Sequence, residues 1–362
     1  MSSTYSMRVS AELLGRQIVA IFNAWGMPRE HVDATVQVML AADLRGIDSH
    51  GVAMLSLYDE LRRTGKLTLA PAVKIVRESP VTALIDGGGG LGHFPSVKAM
   101  NLAVEKCAAS GIAAIGVCNS NHYGAAGVYA SLAAERGYIG LSTTAVWRPG
   151  VVPTFGAQPM FGTNPIAFAA PTKRNPPFCL DMATSTVAIG KIKLAALHAK
   201  PIRSGWATDD HGKSVTDPDE AMKHVCLTPL GGVPEMSSHK GYGLAAMVEI
   251  LSTVLTGGFF AATRCRRHPD ATRYNVGHFF LAIDPRAFRD NEQFEEDLDD
   301  MIDALHATKR ADENQPVLVA GDLEQAQLAE RSGNGIPVPA ALAQTIRHIA
   351  ESSGAPYLLD QP

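Results

Sequence analysis

The stretch Val81-Thr82-Ala83-Leu84-Ile85-Asp86-Gly87-Gly88-Gly89-Gly90-Leu91-Gly92 decides the fold, together with Ile112-Ala113-Ala114-Ile115-Gly116-Val117-Cys118-Asn119-Ser120 further on. A helical pattern from about 94 to 110 lies between them. Residues 87 to 92 match G-x-G-x-x-G between a strand and a helix. In a dinucleotide-binding unit such glycines let the backbone approach a pyrophosphate at the helix N-terminus. That unit also needs an Asp or Glu after its second strand, to hold the ribose hydroxyls. Here Ile112–Val117 runs into Cys118-Asn119-Ser120, and the acidic partner is absent. Four consecutive glycines satisfy the motif almost by default. The stretch therefore reads as a turn that shapes one wall of a cleft, in an α/β chain that is not of the Rossmann type.

Upstream of it, residues 10 to 25 place Leu13, Leu14, Ile18, Ile21 and Phe22 on one face of a helix. Pro28 suits the first turn of a second helix, which runs to Gly46 as its C-cap. A third helix covers about 52 to 64. Val73–Val76 and Val81–Ile85 are short strands. Downstream, a helix at 124 to 136 leads through Gly137 into a strand, Tyr138–Thr144, an α/β alternation. Residues 147 to 180 are rich in Pro and Gly, with short strands at Ile166–Ala170 and Phe178–Leu180. Residues 205 to 238 read as mostly loop, with turn signals at Asp210, Gly212, Asp217-Pro218 and Gly231-Gly232. A long apolar helix at about 240 to 256 follows. Then come a strand, Val276–Ile283, an acidic amphipathic helix at 286 to 307, and helices near 323–331 and 339–353.

A chain of 362 residues is long enough for a large core and two or three domains. With 46% hydrophobic and 19% charged residues it reads as soluble and globular. A formal net charge of −4 argues against a nucleic-acid partner, which calls for a basic patch or stripe. Leu244–Leu255, among the longest apolar stretches, is interrupted by Glu249 and Ser252, well short of the roughly 20 residues that span a bilayer. Cys107, Cys118, Cys179, Cys226 and Cys265 form no C-x-x-C pair and read as free thiols in a reducing compartment. The expectation is a cytoplasmic protein with no membrane partner.

Four constellations carry chemistry. In Asp43-Leu44-Arg45-Gly46-Ile47-Asp48-Ser49-His50-Gly51 a Ser-His pair lies between glycines. Histidine titrates near neutral pH and suits proton donation to a carbonyl oxygen while hydride arrives at carbon. The plainer reading is that Asp48 or Ser49 only caps a helix. In Asn119-Ser120-Asn121-His122-Tyr123-Gly124-Ala125-Ala126-Gly127, small residues open a helix after a strand, leaving bare N–H groups for a phosphate. The alternative is a polar connecting loop. Phe161-Gly162-Thr163-Asn164-Pro165 offers Thr163 and Asn164 to a carboxylate or an amide, and Asp181-Met182-Ala183-Thr184-Ser185 ends a strand among small residues. In Ser237-Ser238-His239-Lys240-Gly241-Tyr242-Gly243 a lysine opens a helix, against the dipole unless an anion sits between. No H-E-x-x-H, clustered Cys/His or G-x-S-x-G elbow is present, so no metal is expected.

Taken together, Asp43–Gly51, Ser120–Gly124, Phe161–Pro165, Asp181–Ser185 and Ser238–Leu244 resemble the signature stretches of the malate/L-lactate dehydrogenase family, in order and spacing over nearly the whole chain. Gly205-Trp206-Ala207 and Asn275–Pro285 fit it too. The resemblance implies an oxidoreductase that uses NAD or NADP to interconvert a small 2-oxo acid and its 2-hydroxy acid. It implies a non-Rossmann, mixed-sheet region for cofactor and substrate at 71–309, a helical domain built from 1–70 plus 310–362, and a homodimer with the site near its interface. By motif, His50 is the proton donor and Ser49 its relay partner. His122, Tyr123, Gly124, Ala125 and Ala126 line the cofactor site, with Asp181, Met182 and Ala183 and with His239, Lys240 and Gly241. Thr163 touches the substrate, a small-molecule carboxylate, with Asn164 beside it.

Two departures from the family pattern matter. Many members carry an Arg four residues after the histidine, where this chain has Met54; Arg45, Arg148 or Lys191 must then balance the substrate carboxylate. Members that reduce cyclic α-imino acids place an Asp where this chain has Lys191, which favours a 2-oxo acid over an imine. A non-catalytic dinucleotide sensor is the third reading, and the intact Ser49 and His50 argue against it.

Overall fold

The computed structural model describes residues 5–290 and 292–360. Ser10 caps the first helix, Ala11–Ala24, by accepting from the Leu13 N–H, and Leu14, Ile18, Ile21 and Phe22 form its buried stripe. Pro28 stands one residue before the second helix, Arg29–Leu44, as its N-cap. Gly46, at φ 78°, follows the end of that helix. The third begins as a 3-10 turn, Val52–Met54, and continues as Leu55–Arg63. These helices share a core with the other end of the chain: Leu14, Phe22 and Tyr58 cluster with Ile336, Val338, Ile346, Ile349 and Leu359. The cluster is tied by an antiparallel pair of strands, Tyr5–Val9 and Ile336–Pro339. The sequence pattern does not announce that pair, because Pro337 and Pro339 break the strand signal.

The main sheet has seven strands, in the spatial order Lys74–Glu78, Thr82–Asp86, Ile112–Ser120, Val276–Ile283, Ile139–Thr144, Ile166–Ala170 and Phe178–Met182. Only Thr82–Asp86 and Ile112–Ser120 run parallel; every other neighbouring pair is antiparallel. A strand from late in the chain thus enters the middle of the sheet. The helices His93–Ser110 and Ala126–Ala134 cover one face, closing a core around Ile115, Val117, Met100, Tyr129 and Phe280. The result is a mixed α/β fold without doubly wound order.

The glycine turn is closed by its own hydrogen bonds. Gly87 N–H donates to Cys118 O, Gly89 N–H to Asn119 O and Gly92 N–H to His122 O, while Gly88 N–H donates to the Asp86 carboxylate. With these donors engaged, the turn cannot cradle a pyrophosphate. It grips the segment that carries His122. Gly88 has φ 64°, and a Cβ there would stand 2.8 Å from Pro71 Cβ.

Elsewhere the structure corrects the sequence pattern. Residues 205 to 238 are not mostly loop: Ala207–Thr208, Ser214–Val215 and Cys226–Leu227 form a three-stranded sheet, joined by the helix Pro218–His224. With the helix Ile189–Leu197 they enclose a satellite core of Val151, Ile192, Ala207 and Leu227. The apolar helix starts earlier, as Ser238–Glu249, and ends in a π-helical turn, Ile250–Val254. The acidic helix starts later, at Gln293, because Pro285–Ala287 makes a separate 3-10 turn. No helix among the described residues is long and apolar enough to cross a membrane.

The glycine turn yields a test. Gly88→Ala introduces left-handed strain and a clash with Pro71, and should lower stability by about 1–3 kcal/mol in urea denaturation. Dinucleotide affinity should stay at the wild-type value; a selective loss of affinity at unchanged stability would mean that the turn holds phosphate after all.

Candidate functional site

The Asp43–Gly51 segment is a tight connection between two helices, and three contacts hold it. The buried Asp43 carboxylate accepts the Val52 N–H at 2.8 Å. Gly51 has to be glycine, because a Cβ there would collide with that carboxylate. Arg331, from the helix Asp322–Asn334, donates to Asp43 O at 2.6 Å and to the Asp48 carboxylate at 2.5 Å. Burial lifts the Asp43 pKa to about 7, partly opposed by the Val52 hydrogen bond.

On this rigid support Ser49 Oγ lies 2.8 Å from His50 Nδ1. The His50 ring stacks on His122, with centroids 5.5 Å apart and planes at 24°. Tyr58 OH is 2.9 Å from His122 Nδ1 and 3.3 Å from His93 Nε2, so three elements distant in sequence meet at one phenol. Burial lowers the pKa of His50, and that of His122 well below its ordinary value. His93 and His278 are pushed down to about 3, also by burial. At neutral pH the cluster is a set of neutral imidazoles.

A row of aromatic rings leads away from the pair. Trp147 meets His122 edge-on at 6.1 Å, and Tyr274 lies 5.3 Å from Trp147. Two cations flank Tyr274: the Arg264 guanidinium at 4.9 Å and Lys66 Nζ at 5.5 Å from its ring centre. Arg264 also lines a small recess with Trp147 and Tyr274.

The remaining motif residues are connected by a succession of short contacts. The helix Ala126–Ala134 opens with no side-chain cap, and one of its first N–H groups, that of Gly127, donates to Asp181 Oδ2 at 2.7 Å. Burial raises the Asp181 pKa to about 6. Met182 and Ala183 continue that strand to Thr184, whose Oγ1 donates towards Thr163 O and Asn164 O. Leu230 N–H donates to Thr184 O, and Leu230 packs on Gly241, so the Ser238–Glu249 helix joins the same succession. That helix also lacks a side-chain cap, and His239 and Lys240 are exposed at its start.

Several side chains are turned otherwise than their motifs suggest. The Tyr123 ring is in the core, stacked on His278 at 4.6 Å, and Gly124 and Ala125 beside it are buried as well. The Asn164 amide is buried and donates to Ala245 O and Glu249 Oε2. Arg45 does not join the histidine pair; it lines a cavity of about 250 Å³ with Gly127, Asp181, Gly321 and Glu324. Lys191 is exposed on the Ile189–Leu197 helix, beside the satellite core. Met54 packs against the core built from both ends of the chain. Tyr58, His93, His278, Trp147 and Arg264 escape the motif reading. The only sequence signal is that His93 and His278, like His50, adjoin a glycine, which lets a ring sit against a close backbone.

Comparison with known proteins bears on this arrangement. Residues 9–347 match the family model described as malate/L-lactate dehydrogenase. The chain belongs to that family. It is 39% identical to a malate dehydrogenase of Pyrococcus horikoshii over 96% of either chain. The solved structure of malate dehydrogenase from that organism superposes with a TM-score of 0.88 at 36% identity, covering 98% of this chain and 97% of that one. An L-sulfolactate dehydrogenase of Methanocaldococcus jannaschii is 36% identical over 93% of this chain and 94% of its own. A delta1-piperideine-2-carboxylate reductase structure from Pseudomonas syringae pvar. tomato is similar at 26% identity, with a TM-score of 0.84 over 95% of this chain and all of that one (100%).

The buried Asp43 gives a linkage test. Its folded pKa of about 7 exceeds its ordinary value of 3.8, so its contribution to stability is present at acid pH and is lost as pH rises to about 7. The stability of wild type relative to Asp43→Asn should therefore decline across that window and level off above it, measured by urea denaturation at several pH values. A difference independent of pH would show that Asp43 stays ionised.

Proposed function

We propose that the protein is an NAD(P)-dependent 2-hydroxy acid dehydrogenase with His50 as its proton donor and acceptor. The observation that carries this is the pair formed by Ser49 and His50, rigidly supported and stacked on His122. Among the described residues neither Nε2 of the stacked imidazoles has a hydrogen-bond partner or is a buried orphan, which leaves both open to a ligand.

The residues present fit a dinucleotide. The helix Ser238–Glu249 opens without a side-chain cap and with Lys240 exposed at its start, and the cavity at Asp181 adjoins the start of Ala126–Ala134, where Asp181 already holds the Gly127 N–H. Uncapped N–H groups and a lysine suit the diphosphate. The nicotinamide, when bound, supplies or takes up the hydride at the substrate's α-carbon. His50 Nε2 gives a proton to the oxygen in reduction and takes it back in oxidation, while its Nδ1–H remains hydrogen-bonded to Ser49 Oγ. Arg264 and Lys66, beside the aromatic row, take the place of the missing Arg at Met54 and balance the substrate's negative charge. Arg45 serves the cofactor side instead. A 2-oxo acid of the malate or sulfolactate type is the substrate; a cyclic α-imino acid is the second candidate, on the likeness to the piperideine-carboxylate reductase. The assembly is a cytoplasmic homodimer. The exposed stripe of Met247, Ile250 and Val254 supports the dimer, since their spacing puts them on one helix face.

His50→Ala should lower turnover by roughly 10²–10⁴-fold, the usual span for general acid catalysis, with cofactor affinity unchanged. Assays of NADH and NADPH oxidation with oxaloacetate, sulfopyruvate, pyruvate and a cyclic imine would name the substrate, and full turnover in the His50 variant would refute the assignment. Because burial lowers the His50 pKa below its ordinary value of 6.5, kcat/KM for reduction should fall as pH rises through a value below 6.5. For oxidation it should rise through the same value.

Lys240→Ala should weaken dinucleotide binding by about 1.5–3 kcal/mol, the range for a charge-assisted hydrogen bond. Fluorescence titration reads it directly; an unchanged dissociation constant would place the diphosphate elsewhere.

A further inference from the structure

The geometry points to Tyr58 as a positioning residue that fixes His122 in its Nε2–H tautomer, so that His122 offers an N–H to the substrate oxygen beside the His50 proton. This deepens the reading of the His50 cleft as the substrate site and rests on it.

Proton counting at the buried triad gives the tautomer. His122 Nδ1 receives the backbone N–H of Gly124 at 3.4 Å, so it acts as an acceptor and carries no hydrogen. Tyr58 has a single hydroxyl hydrogen, and the closer of its two imidazole neighbours is the same Nδ1, at 2.9 Å against 3.3 Å for His93 Nε2. The phenol therefore donates to His122 and accepts from His93. The far side of His93 agrees: His93 Nδ1 is buried with no partner. A hydrogen there would be an orphaned donor in the core, whereas a bare lone pair is the milder penalty. His93 thus carries its hydrogen on Nε2 and hands it to the phenol oxygen. All three hydrogens point the same way, from His93 through Tyr58 to His122, and the last N–H of the chain is His122 Nε2–H.

The environment keeps this donor neutral. His122 faces His50, His93 and His278, none of which offers a negative charge, and burial among them disfavours an imidazolium. A neutral imidazole N–H can stabilise a developing alkoxide without losing its proton, as an oxyanion-hole donor does. The reaction balances without it: the carbon gains a hydride, the carbonyl π pair moves to oxygen, and that oxygen takes the His50 proton. In this account His122 is a catalytic residue and Tyr58 acts only through it. Tyr58 is fully buried, so it cannot reach a substrate itself.

The test separates a hydrogen-bond role from a packing role. Long-range proton–nitrogen correlation spectra of the ¹⁵N-histidine-labelled full chain, with His122→Gln used for assignment, should show His122 protonated at Nε2 only. Tyr58→Phe keeps the ring and removes the hydroxyl. It should leave His122 as a mixture of tautomers and lower kcat/KM for carbonyl reduction by about 10- to 100-fold, the effect of one lost buried hydrogen bond. Cofactor affinity should stay at the wild-type value. His122→Gln places an amide N–H near the Nε2 position and should recover much of the rate that His122→Ala loses. A wild-type His122 protonated at Nδ1, an unaffected kcat/KM in Tyr58→Phe, or equal losses in the Gln and Ala variants would each overturn the proposal. If wild type turns over no oxo or hydroxy acid, the dehydrogenase reading fails instead, and the tautomer spectra still decide the relay.

Discussion

The antiparallel strand Val276–Ile283, set between Ile112–Ser120 and Ile139–Thr144, is the constraint on which the rest depends. Had the two earlier strands been direct neighbours, the first half of the chain could have wound as a parallel unit with a phosphate crevice at its glycine turn. The inserted strand forbids this. It also carries His278, whose Nδ1 lies 2.7 Å from Thr144 Oγ1 and whose Nε2 lies 2.9 Å from Ser120 Oγ. One buried imidazole thereby ties both flanking strands, exactly where the His122 loop leaves the sheet. Tyr123 stacks on that imidazole, which fixes the backbone next to His122. The placement of the loop that carries His122 is thus tied to a sheet-pairing decision.

Much of this was legible in the sequence. The missing acid after Val117 correctly told against a Rossmann unit, because a phosphate loop needs partners that composition alone does not supply. The elements with strong periodicity, such as the first helix and the Val276–Ile283 strand, fall where the pattern puts them. Contacts link several of the motifs in pairs, His50 with His122, Gly127 with Asp181, and Thr184 through Leu230 with Gly241. What was hidden depends on distance along the chain. Tyr5–Val9 and Ile336–Pro339 are short, the second broken by Pro337 and Pro339, and neither reads as a strand until the other is beside it. Tyr58 looks like any aromatic on the inner face of a helix, and its phenol acquires meaning only from two histidines on other elements. Arg264 opens a single-turn helix, Arg264–Arg267, too short for any periodic signal.

The site is also electrically unusual for one that handles anions. Its centre holds four histidines that burial keeps neutral, while the fixed cations, Arg264 and Lys66, stand off along the aromatic row. The acidic residues near the centre are engaged elsewhere: Asp43 braces a turn and Asp181 satisfies a helix end, so neither competes for the proton.

The core shared by both ends of the chain has a consequence for how the molecule is made. Arg331 holds the Asp43–Asp48 turn, and Ile336–Pro339 supplies the strand partner of Tyr5–Val9. A ribosome delivers these pieces long after the helices that they cover. The sheet can condense while translation continues, yet its early helices must wait, apolar faces uncovered, for a segment not yet synthesised. Nascent chains therefore expose the apolar faces of Ala11–Ala24 and Leu55–Arg63 until Ile336–Pro339 and Ala340–Ser352 have been made, and the Asp43–Gly51 turn is braced by Arg331 only then.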